Sequence, residues 1–305
     1  MRVKTFEKHT LKKWSGRDCV WLALMVAPFA ILFLIVTVIP VLASIVLSFF
    51  QYDMINPPQF IGLDNYFRMF ISDQVFLIAL QNTLKLAVIT GPIGFLLSFV
   101  LAWMINDLSP ASRTALSFLF YSPALMGNVY FIWQVLFSGD AYGYANSLLM
   151  SMNLISEPIQ WFYDERYAMT LVIIVQLWMS MGVSFLANIS GLQNVDTTLY
   201  EAGAIDGIRN RWAELWYITL PSMKGILLFS AVMQIQTSFS ISAIATTLTG
   251  FPSVNYSTHT IVTHLSDIAT TRFEMGYGAA LSVFLFLLMA AARILIRKVL
   301  DALGR

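Results

Sequence analysis

Charged residues are scarce in this chain of 305 residues. They make up 11% of it and hydrophobic residues 58%, whereas ordinary soluble domains carry roughly 25% and roughly 45–50%. Cysteine is scarcer still: the lone Cys19 excludes an internal disulfide and gives no metal site. The three histidines form no HExxH motif, and CxxC does not occur. A soluble globular protein is therefore excluded, and no metal site is predicted.

The scarcity of charge leaves six long charge-free stretches, at 19–52, 86–106, 114–139, 167–195, 225–266 and 275–292. A membrane span needs about 20 mainly apolar residues to cross a core of about 30 Å. The sequence thus predicts an all-α polytopic membrane protein with six transmembrane helices, near 22–50, 81–105, 115–137, 167–189, 224–247 and 276–296. The first stretch exceeds the roughly 7–15 residues of a signal-peptide core, so we expect no cleavage.

The distribution of positive charge predicts the orientation. With six spans, fourteen of the 18 lysines and arginines fall on one side of the membrane. They are Arg2, Lys4, Lys8, Lys12, Lys13, Arg17, Arg113, Arg209, Arg211, Lys224, Arg293, Arg297, Lys298 and Arg305. The other side holds Arg68, Lys85, Arg166 and Arg272. The positive-inside bias then places both termini and the loop near 190–223 in the cytoplasm.

That cytoplasmic loop contains a polar segment between two spans, residues 200–222, with the sequence YEAGAIDGIRNRWAELWYITLPS. Thr197 or Thr198 can cap a short helix with Glu201 in a near capping box. Asp206-Gly207 is a strong turn pair, since glycine supplies the positive φ that a Cβ would penalise. The segment therefore predicts a first short helix followed by a sharp turn.

Beyond the turn, Asn210 can cap a second, amphipathic helix. The pattern predicts that this helix buries Trp212, Leu215 and Trp216, and that Pro221 starts the next span. Two helices outside the bilayer favour a docking surface. A helix pair lying on lipid is the alternative.

This segment resembles the EAA loop of binding-protein-dependent ABC importer permeases. The match consists of Glu201-Ala202-Gly203, three further residues, Gly207, and later Leu220-Pro221. In that family the loop is a coupling helix that fits a cleft on a separate ATPase subunit. The resemblance implies the ATPase-coupling residues Glu201, Ala202, Gly203, Asp206, Gly207, Leu220 and Pro221.

Two departures accompany the resemblance. Gly203 stands where the motif has a third alanine, and the distance from Gly207 to Leu220 is one residue longer than usual. An extra residue inside a helix rotates one side by about 100°. We expect the insertion at 208–211, beside the turn, where it is harmless.

Two further motifs are similar to those of sugar-class permeases. Residues 60–66, FIGLDNY, match F-x-G-L-x-N-Y, and residues 249–252, TGFP, resemble the L-T-x-G-x-P turn. The resemblance implies a type I importer permease fold with a basic cytoplasmic N-terminus at 1–20, and a transmembrane domain at 21–305 whose core is about 77–300 and whose coupling loop is 196–222.

The same resemblance implies the assembly and the function. The chain is expected to be one permease subunit in a bacterial cytoplasmic membrane, translocating a sugar or oligosaccharide by alternating access. Its expected partners are a second, similar permease, two ATPase subunits, an extracytoplasmic solute-binding protein and the lipid bilayer, with no nucleic acid. ATP and Mg are expected on the ATPase and no cofactor on this chain.

Missing motifs narrow the function further. No GxxxxGK[ST] sequence occurs, so the chain does not cradle ATP in a phosphate loop. No acid–base or nucleophile–base set falls in a span, so an enzyme is not expected. No carboxylate lies well inside a span either, which disfavours a proton-coupled symporter. The competing hypothesis is an ATP-independent channel or facilitator, in which 200–222 is a surface loop.

Substrate contact has a weaker basis in the sequence. Uncharged polar residues recur every four positions along the fourth and fifth predicted spans, which places them on one face. With nearby aromatics they suit a neutral polyhydroxylated ligand, and the candidates are Tyr130, Trp133, Gln176, Trp178, Ser180, Ser184, Gln234, Ser238 and Ser242. Such residues also join helices in membranes, and this alternative stays open. His259, His264 and Asp267 are interpreted as surface residues.

Overall fold

The structure is a computed structural model that describes residues 16–303; most of the predicted basic segment 1–20 lies outside the described residues. The described chain is almost entirely helical. The α-helices are α1 (Gly16–Phe33), α2 (Ile39–Leu47), α3 (Asp64–Phe67), α4 (Gln74–Asn106), α5 (Pro110–Leu125), α6 (Phe131–Leu136), α7 (Tyr144–Ser151), α8 (Glu165–Met179), α9 (Val183–Gln193), α10 (Thr197–Ile205), α11 (Arg211–Glu214), α12 (Leu220–Ser222), α13 (Lys224–Phe239), α14 (Ala243–Thr249), α15 (Ile261–Ser266) and α16 (Met275–Leu303).

Short elements join these helices. Four are π-helical turns, at Leu34–Val38, Arg68–Ser72, Leu215–Thr219 and Asp267–Thr271. One is a 3₁₀ turn at Val254–Tyr256. Two strands, β1 (Phe50–Gln51) and β2 (Gln59–Phe60), pair antiparallel as a small hairpin. In the F-x-G-L-x-N-Y motif, the Asn65 side chain donates to the carbonyl oxygens of Ser48 and Phe50, at 2.9 and 3.0 Å, and so fixes this hairpin to the helix that precedes it.

Five helical segments in the described chain are long and apolar enough to cross a membrane. They are Val20–Leu47, Gln74–Asn106, Glu165–Gln193, Lys224–Thr249 and Met275–Lys298. The predicted all-α membrane architecture is confirmed by these segments. Their ends differ from the predicted ones by up to seven residues; the largest difference is at Gln74, where α4 begins seven residues before the predicted start of its span.

The predicted span at 115–137 is not one continuous helix. It consists of α5, a break at 126–130, and the six-residue α6. At 1.5 Å per residue the 16 residues of α5 reach about 24 Å, short of a core of about 30 Å. Gly127 at φ +49° ends the helical path in the middle of this stretch. The count of six spans therefore remains a prediction.

The long helix α4 is central to the packing, with α9 and α13 against it. Gly94 allows the close contact with α13, and Gly91 lies one turn away from it. A Cβ added at Gly94 would lie 2.2 Å from Nε2 of Gln234 and 3.0 Å from Oγ of Ser180, whereas one added at Gly91 would make an ordinary contact with Ser238. By contrast, no residue in the most apolar part of the first span is buried. The first span contacts the rest of the chain chiefly where its second part, α2, packs against α16.

A buried polar cluster ties the outer end of α4 to α15 and α16. Asp73 caps α4 by accepting from the Phe76 amide at 2.9 Å. The same carboxylate contacts Nε2 of His264 at 2.9 Å and accepts from the Tyr277 hydroxyl at 2.7 Å. Burial raises the pKa of Asp73, but the hydrogen bonds from His264, Phe76 and Tyr277 outweigh it and leave the pKa below its ordinary value. Asp73 is therefore ionised at neutral pH.

The prediction that the outer histidines are surface residues was wrong. His259 and His264 are both buried, at 3% and 2% exposure, because the loop folds back over the end of α4. Burial is the main cause that lowers the pKa of His259 to about 4, and the nearby His264 is the second cause. The ring of His259 is therefore neutral at physiological pH. Asp267 lies 2.8 Å from Arg272 in an ion pair. Among the described residues no group of three potential ligands is arranged to hold a metal ion.

Candidate functional site

The polar loop forms a compact unit, which we call the docking segment, residues 196–222. Asp196 is the N-cap of α10, and its carboxylate accepts from the Thr198 amide at 3.0 Å. Hydrogen bonds from the Thr198 amide and hydroxyl hold the pKa of Asp196 below its ordinary value. The prediction that Thr197 or Thr198 is the cap was wrong by one or two residues. Both lie inside the helix, because the preceding aspartate takes the capping role.

The Asp206-Gly207 turn has the predicted geometry. Gly207 adopts φ +92° just after α10 ends. The Ile208 amide donates to the Gly203 carbonyl at 2.9 Å and the Gly207 amide to the Ala204 carbonyl at 3.3 Å. These two bonds form a Schellman motif, which ends a helix with a left-handed residue. The exit direction of the chain from α10 is therefore fixed by backbone geometry at one glycine.

The two halves of the docking segment pack on each other through small residues. Gly203 is buried, and a Cβ added there would lie 2.6 Å from Cδ1 of Ile218. The hydroxyls of Tyr200 and Thr219 are 2.9 Å apart and tie α10 to the following π-helical turn. The close contact at Gly203 is thus made by an isoleucine side chain.

The second half is capped as predicted but buries different residues. Asn210 accepts from the Ala213 amide at 2.7 Å. Leu215 is buried, whereas Trp212 and Trp216 are 65% and 66% exposed, so that part of the prediction was wrong. The segment does not form one regular helix: α11 has four residues, and the π-helical turn Leu215–Thr219 follows it and contains Trp216. The Trp212 ring lies 5.1 Å from that of Trp103 in α4 and stays exposed.

The π-helical turn also bears on the extra residue in this loop. Each π turn holds one residue more than an α turn, and here the Leu220 amide donates to the Leu215 carbonyl across that wider turn. The insertion was predicted beside the Asp206-Gly207 turn, at 208–211, and that placement remains a prediction. The π turn is a second position in the segment that accommodates one added residue.

Most of the docking segment is exposed, including several large apolar side chains. Ile205, at the end of α10, is 87% exposed, and Tyr217 is 74% exposed. Of the predicted coupling residues, Glu201, Ala202, Asp206, Gly207 and Pro221 are exposed, Leu220 is half-buried and Gly203 is buried. Large apolar side chains exposed on a polar segment are typical of a protein or membrane contact.

The predicted substrate-path residues mostly face the interior of this chain. Gln176, Ser180, Ser184, Gln234 and Ser238 are buried, as is Tyr130, while Trp133, Trp178 and Ser242 are partly exposed. The Gln234 side chain donates to the Thr90 carbonyl at 3.3 Å, and the Thr90 hydroxyl donates to Ser238 at 3.0 Å. These bonds join α13 to α4, as expected for helix–helix contacts. Their role in substrate contact remains a prediction.

Other polar residues, in α13 and at its C-cap Ser240, are exposed. Gln236, Thr237 and Ser240 lie on the face opposite the packed one, near the middle of the span Lys224–Thr249. Polar side chains at membrane depth normally face other helices or a water-filled cavity. In the sequence these three residues stand beside the period-four stripe, and the structure places them on a different, exposed face.

Three apolar stretches are interrupted part-way along. The breaks lie between α5 and α6, between α8 and α9, and between α13 and α14. They are close in space: Tyr130 and Ile241 belong to one buried cluster, and a Cβ on Gly182 would lie 3.5 Å from that of Ala124. Non-helical backbone at this depth is tolerated where protein buries it or water reaches it.

Comparison with known proteins provides an independent view of the chain. No protein-family model matches it. A probable ABC transporter permease of Bacillus subtilis, YesP, is 30% identical over 280 residues, which is 90% of this chain and 88% of the relative. The arabinooligosaccharide transport permease AraP of Halalkalibacterium halodurans is 29% identical over 87% of this chain and 83% of the relative. The lactose transport permease LacF of Rhizobium radiobacter is 29% identical over 94% and 95%.

Solved structures share the fold. A chain from a crystal structure of a bacterial ABC transporter that imports alginate superposes with a TM-score of 0.77 at 21% identity, over 95% of this chain and 97% of the other. A chain of the bacterial alginate transporter in complex with an alginate pentasaccharide-bound periplasmic protein gives 0.78 at 20% identity, over 95% and 96%. At this identity the likeness concerns the fold.

Proposed function

Because this chain belongs to the permease subunits of ABC transporters, we propose that it imports a sugar or oligosaccharide across the bacterial cytoplasmic membrane by ATP-driven alternating access. As a member of that family it is a transport subunit and not an enzyme. The observation that carries the proposal is the docking segment: a capped, exposed two-helix unit between two membrane-length spans. Binding of a soluble subunit would explain why such a unit is built outside the bilayer.

The proposed assembly contains this chain, a second similar permease, two ATPase subunits and an extracytoplasmic solute-binding protein. ATP and Mg act on the ATPase, since this sequence has no phosphate loop. The termini and the docking segment lie in the cytoplasm, as the distribution of lysine and arginine indicates. Sugar as the substrate is supported by relatives that are arabinooligosaccharide and lactose transport permeases.

The proposed mechanism uses the docking segment as the contact through which ATP binding acts. Closure of the ATPase dimer draws the docking segments of the two permeases together. The membrane helices then shift from an inward-open to an outward-open packing, and the binding protein releases its solute. ATP can drive that shift only if the ATPase contacts the two packings differently. The turn at Gly207 and the exposed end of α10 supply such contacts.

Ile205 provides a test of docking. Its side chain is 87% exposed at the end of α10 and makes an apolar projection. Replacement with aspartate places a charge in the proposed ATPase cleft, and we expect retention of the ATPase on the tagged chain to fall about tenfold or more, as for a buried unpaired charge. Ile55→Asp is the matched control, because Ile55 is 89% exposed at the opposite end of the protein. Equal ATPase retention in Ile205→Asp and the control would contradict docking at this helix.

The exposed polar face of α13 is the proposed lining of the solute path. Hydroxyl and amide groups at Gln236, Thr237 and Ser240 can exchange hydrogen bonds with the hydroxyls of a neutral sugar. They also lie beside the interruption between α13 and α14. Their exposure in the isolated chain is explained if the second permease faces them across a water-filled path.

Thiol labelling tests this path. In a Cys19→Ser background, Thr237→Cys in the assembled complex should react with a hydrophilic maleimide, and the extent should change when a non-hydrolysable ATP analogue is added. Ser238→Cys is the matched control, because Ser238 is 1% exposed and bonded to Thr90. We expect it to remain unlabelled. Failure of Thr237→Cys to react in either state would place this face against lipid or protein and contradict the path.

A further inference from the structure

One side chain of the docking segment reaches the cytoplasmic end of α4. Nη2 of Arg211 donates to the Trp103 carbonyl at 2.8 Å and lies 2.7 Å from Oδ2 of Asp107. The guanidinium carbon is 4.3 Å from the centre of the Trp103 ring, in a cation–π geometry. The ring of Trp212, the next residue, lies 5.1 Å from that of Trp103. A single arginine thus contacts a carbonyl, a carboxylate and a ring at the last turn of one helix.

These contacts complete the end of α4. The last four carbonyls of a helix have no partner within it, and here the Asp107 amide donates to Ile105, leaving the Trp103 carbonyl to Arg211. The last turn of α4 contains no basic residue of its own. Arg211 therefore supplies both the hydrogen bond and the positive charge that the end of a helix favours. A second arginine, Arg113, donates to the Asn106 carbonyl at 3.0 Å.

Packing behind the docking segment is open at this point. A cavity of about 520 Å³ lies between the segment and the ends of α4, α5 and α9. Asp107, Arg113, Tyr200, Arg211 and Glu214 are among its lining residues. Since apolar packing is incomplete there, the position of the docking segment relative to α4 depends more on the hydrogen bond and the ion pair of Arg211.

We infer that Arg211 is a positioning residue that transmits displacement of the docking segment to α4. The inference rests on the proposed function, because the displacement comes from the ATPase. With 33 residues, α4 is about 50 Å long. It packs against α9 and α13, most closely against α13 at Gly94, and Asp73 caps its outer end. A pull on its cytoplasmic end therefore reaches the interrupted spans.

The exposure of Arg211 makes it possible to distinguish a role in transmission from a role in stabilising the fold. The side chains of Arg211 and Asp107 are 42% and 59% exposed. Exposed ion pairs contribute little to stability, so loss of the pair should leave the fold and the ATPase contact intact. The expected defect is in the number of solute molecules imported per ATP hydrolysed.

The experiment measures that ratio in proteoliposomes containing the complete complex and its binding protein. In Arg211→Ala we expect ATPase retention as in the wild type and a fall of about tenfold in solute imported per ATP, within the usual range of coupling between sites. Arg211→Lys keeps the charge but loses the planar fork, so its ratio should lie in between. The charge exchange Arg211→Asp with Asp107→Arg should recover part of the ratio lost in Arg211→Asp alone.

Arg209→Ala is the control, since Arg209 is exposed in the same segment and, among the described residues, makes no hydrogen bond or ion pair with α4. An unchanged ratio in both Arg211→Ala and Arg211→Lys would overturn the inference. Loss of the ATPase from Arg211→Ala would also overturn it, because Arg211 would then act in docking. A wild-type complex that retains no ATPase would instead refute the proposed function itself.

Discussion

Replacing Gly207 with valine is expected to abolish ATP-driven uptake while the chain still folds and inserts. Gly207 has φ +92°, and a Cβ there would meet nothing within 4 Å. The cost is therefore backbone strain and not a clash, about 1–3 kcal/mol for a residue forced into this region. Relief of that strain changes the angle at which α10 leaves the turn, so the docking helix meets the ATPase in the wrong orientation. ATP hydrolysis should continue without uptake.

Two further variants separate strain from side-chain size. Gly207→Asn should retain most uptake, because asparagine tolerates positive φ better than other side chains. Gly225→Val adds the same side chain to an equally open glycine with ordinary φ at the start of α13, and should behave like the wild type. Uptake and ATP hydrolysis are measured together in proteoliposomes. Normal uptake by Gly207→Val would refute the role assigned to the turn.

Replacing Gly276 with alanine is expected to damage the fold itself. The added Cβ would lie 2.0 Å from the Phe50 carbonyl oxygen and 3.0 Å from the Tyr52 amide nitrogen, both of them backbone atoms that cannot rotate away. The Gly276 amide donates to the Tyr52 carbonyl at 3.1 Å, and separation of the two segments breaks this bond. We expect a loss of about 3 kcal/mol, at the upper end for overpacked sites.

Thermal unfolding in mild detergent, followed by tryptophan fluorescence, measures the effect. The matched control is Gly91→Ala: Gly91 is also a buried helical glycine, but its added Cβ would make an ordinary 3.7 Å contact with Oγ of Ser238. That variant should unfold at the wild-type temperature. If Gly276→Ala did so too, the close contact between α16 and β1 would not exist in the folded protein.

Five of the six predicted spans, and the turn and the cap of the docking segment, were predictable because each depends on local chemistry. A run of about 20 apolar residues without charge predicts a membrane helix from its own length and composition. Likewise, Asp206-Gly207 and Asn210 predict a turn and a cap through their own backbone preferences. The structure places both as expected. The contacts of Gly203 and Gly276 depend on chain segments far away in the sequence, and the residue type alone gave no indication of them.

The errors share a cause in tertiary structure. Trp212 and Trp216 were predicted to be buried on one regular helix, but α11 ends after four residues, both rings are exposed, and Trp212 contacts Trp103 of α4. His259 and His264 were predicted at the surface, but the outer loop covers them. Gln234 of the period-four polar stripe is covered by α4 in this chain, and the solute path that the stripe indicated stays a prediction. In each case the partner that decides exposure lies elsewhere in the sequence.

The contacts of Arg211 could not be predicted from the sequence either. In the sequence it is one of several charges after the turn, and the EAA resemblance assigns it no role. Its three contacts with the end of α4 depend on how the docking segment folds back against the spans. A cation opposite the uncapped end of a long helix is a physical expectation, but the sequence does not indicate which of the nearby arginines supplies it.

The central claim is that this chain works as one subunit of an ATP-driven importer. The most direct test is to solubilise the tagged chain from its native membranes in mild detergent and to measure which proteins co-purify and in what ratio. We predict two copies of a phosphate-loop ATPase and one copy of a second, different permease for each copy of this chain. Recovery of the chain alone, or only with further copies of itself, under equally mild extraction would contradict the claim and favour a channel or facilitator.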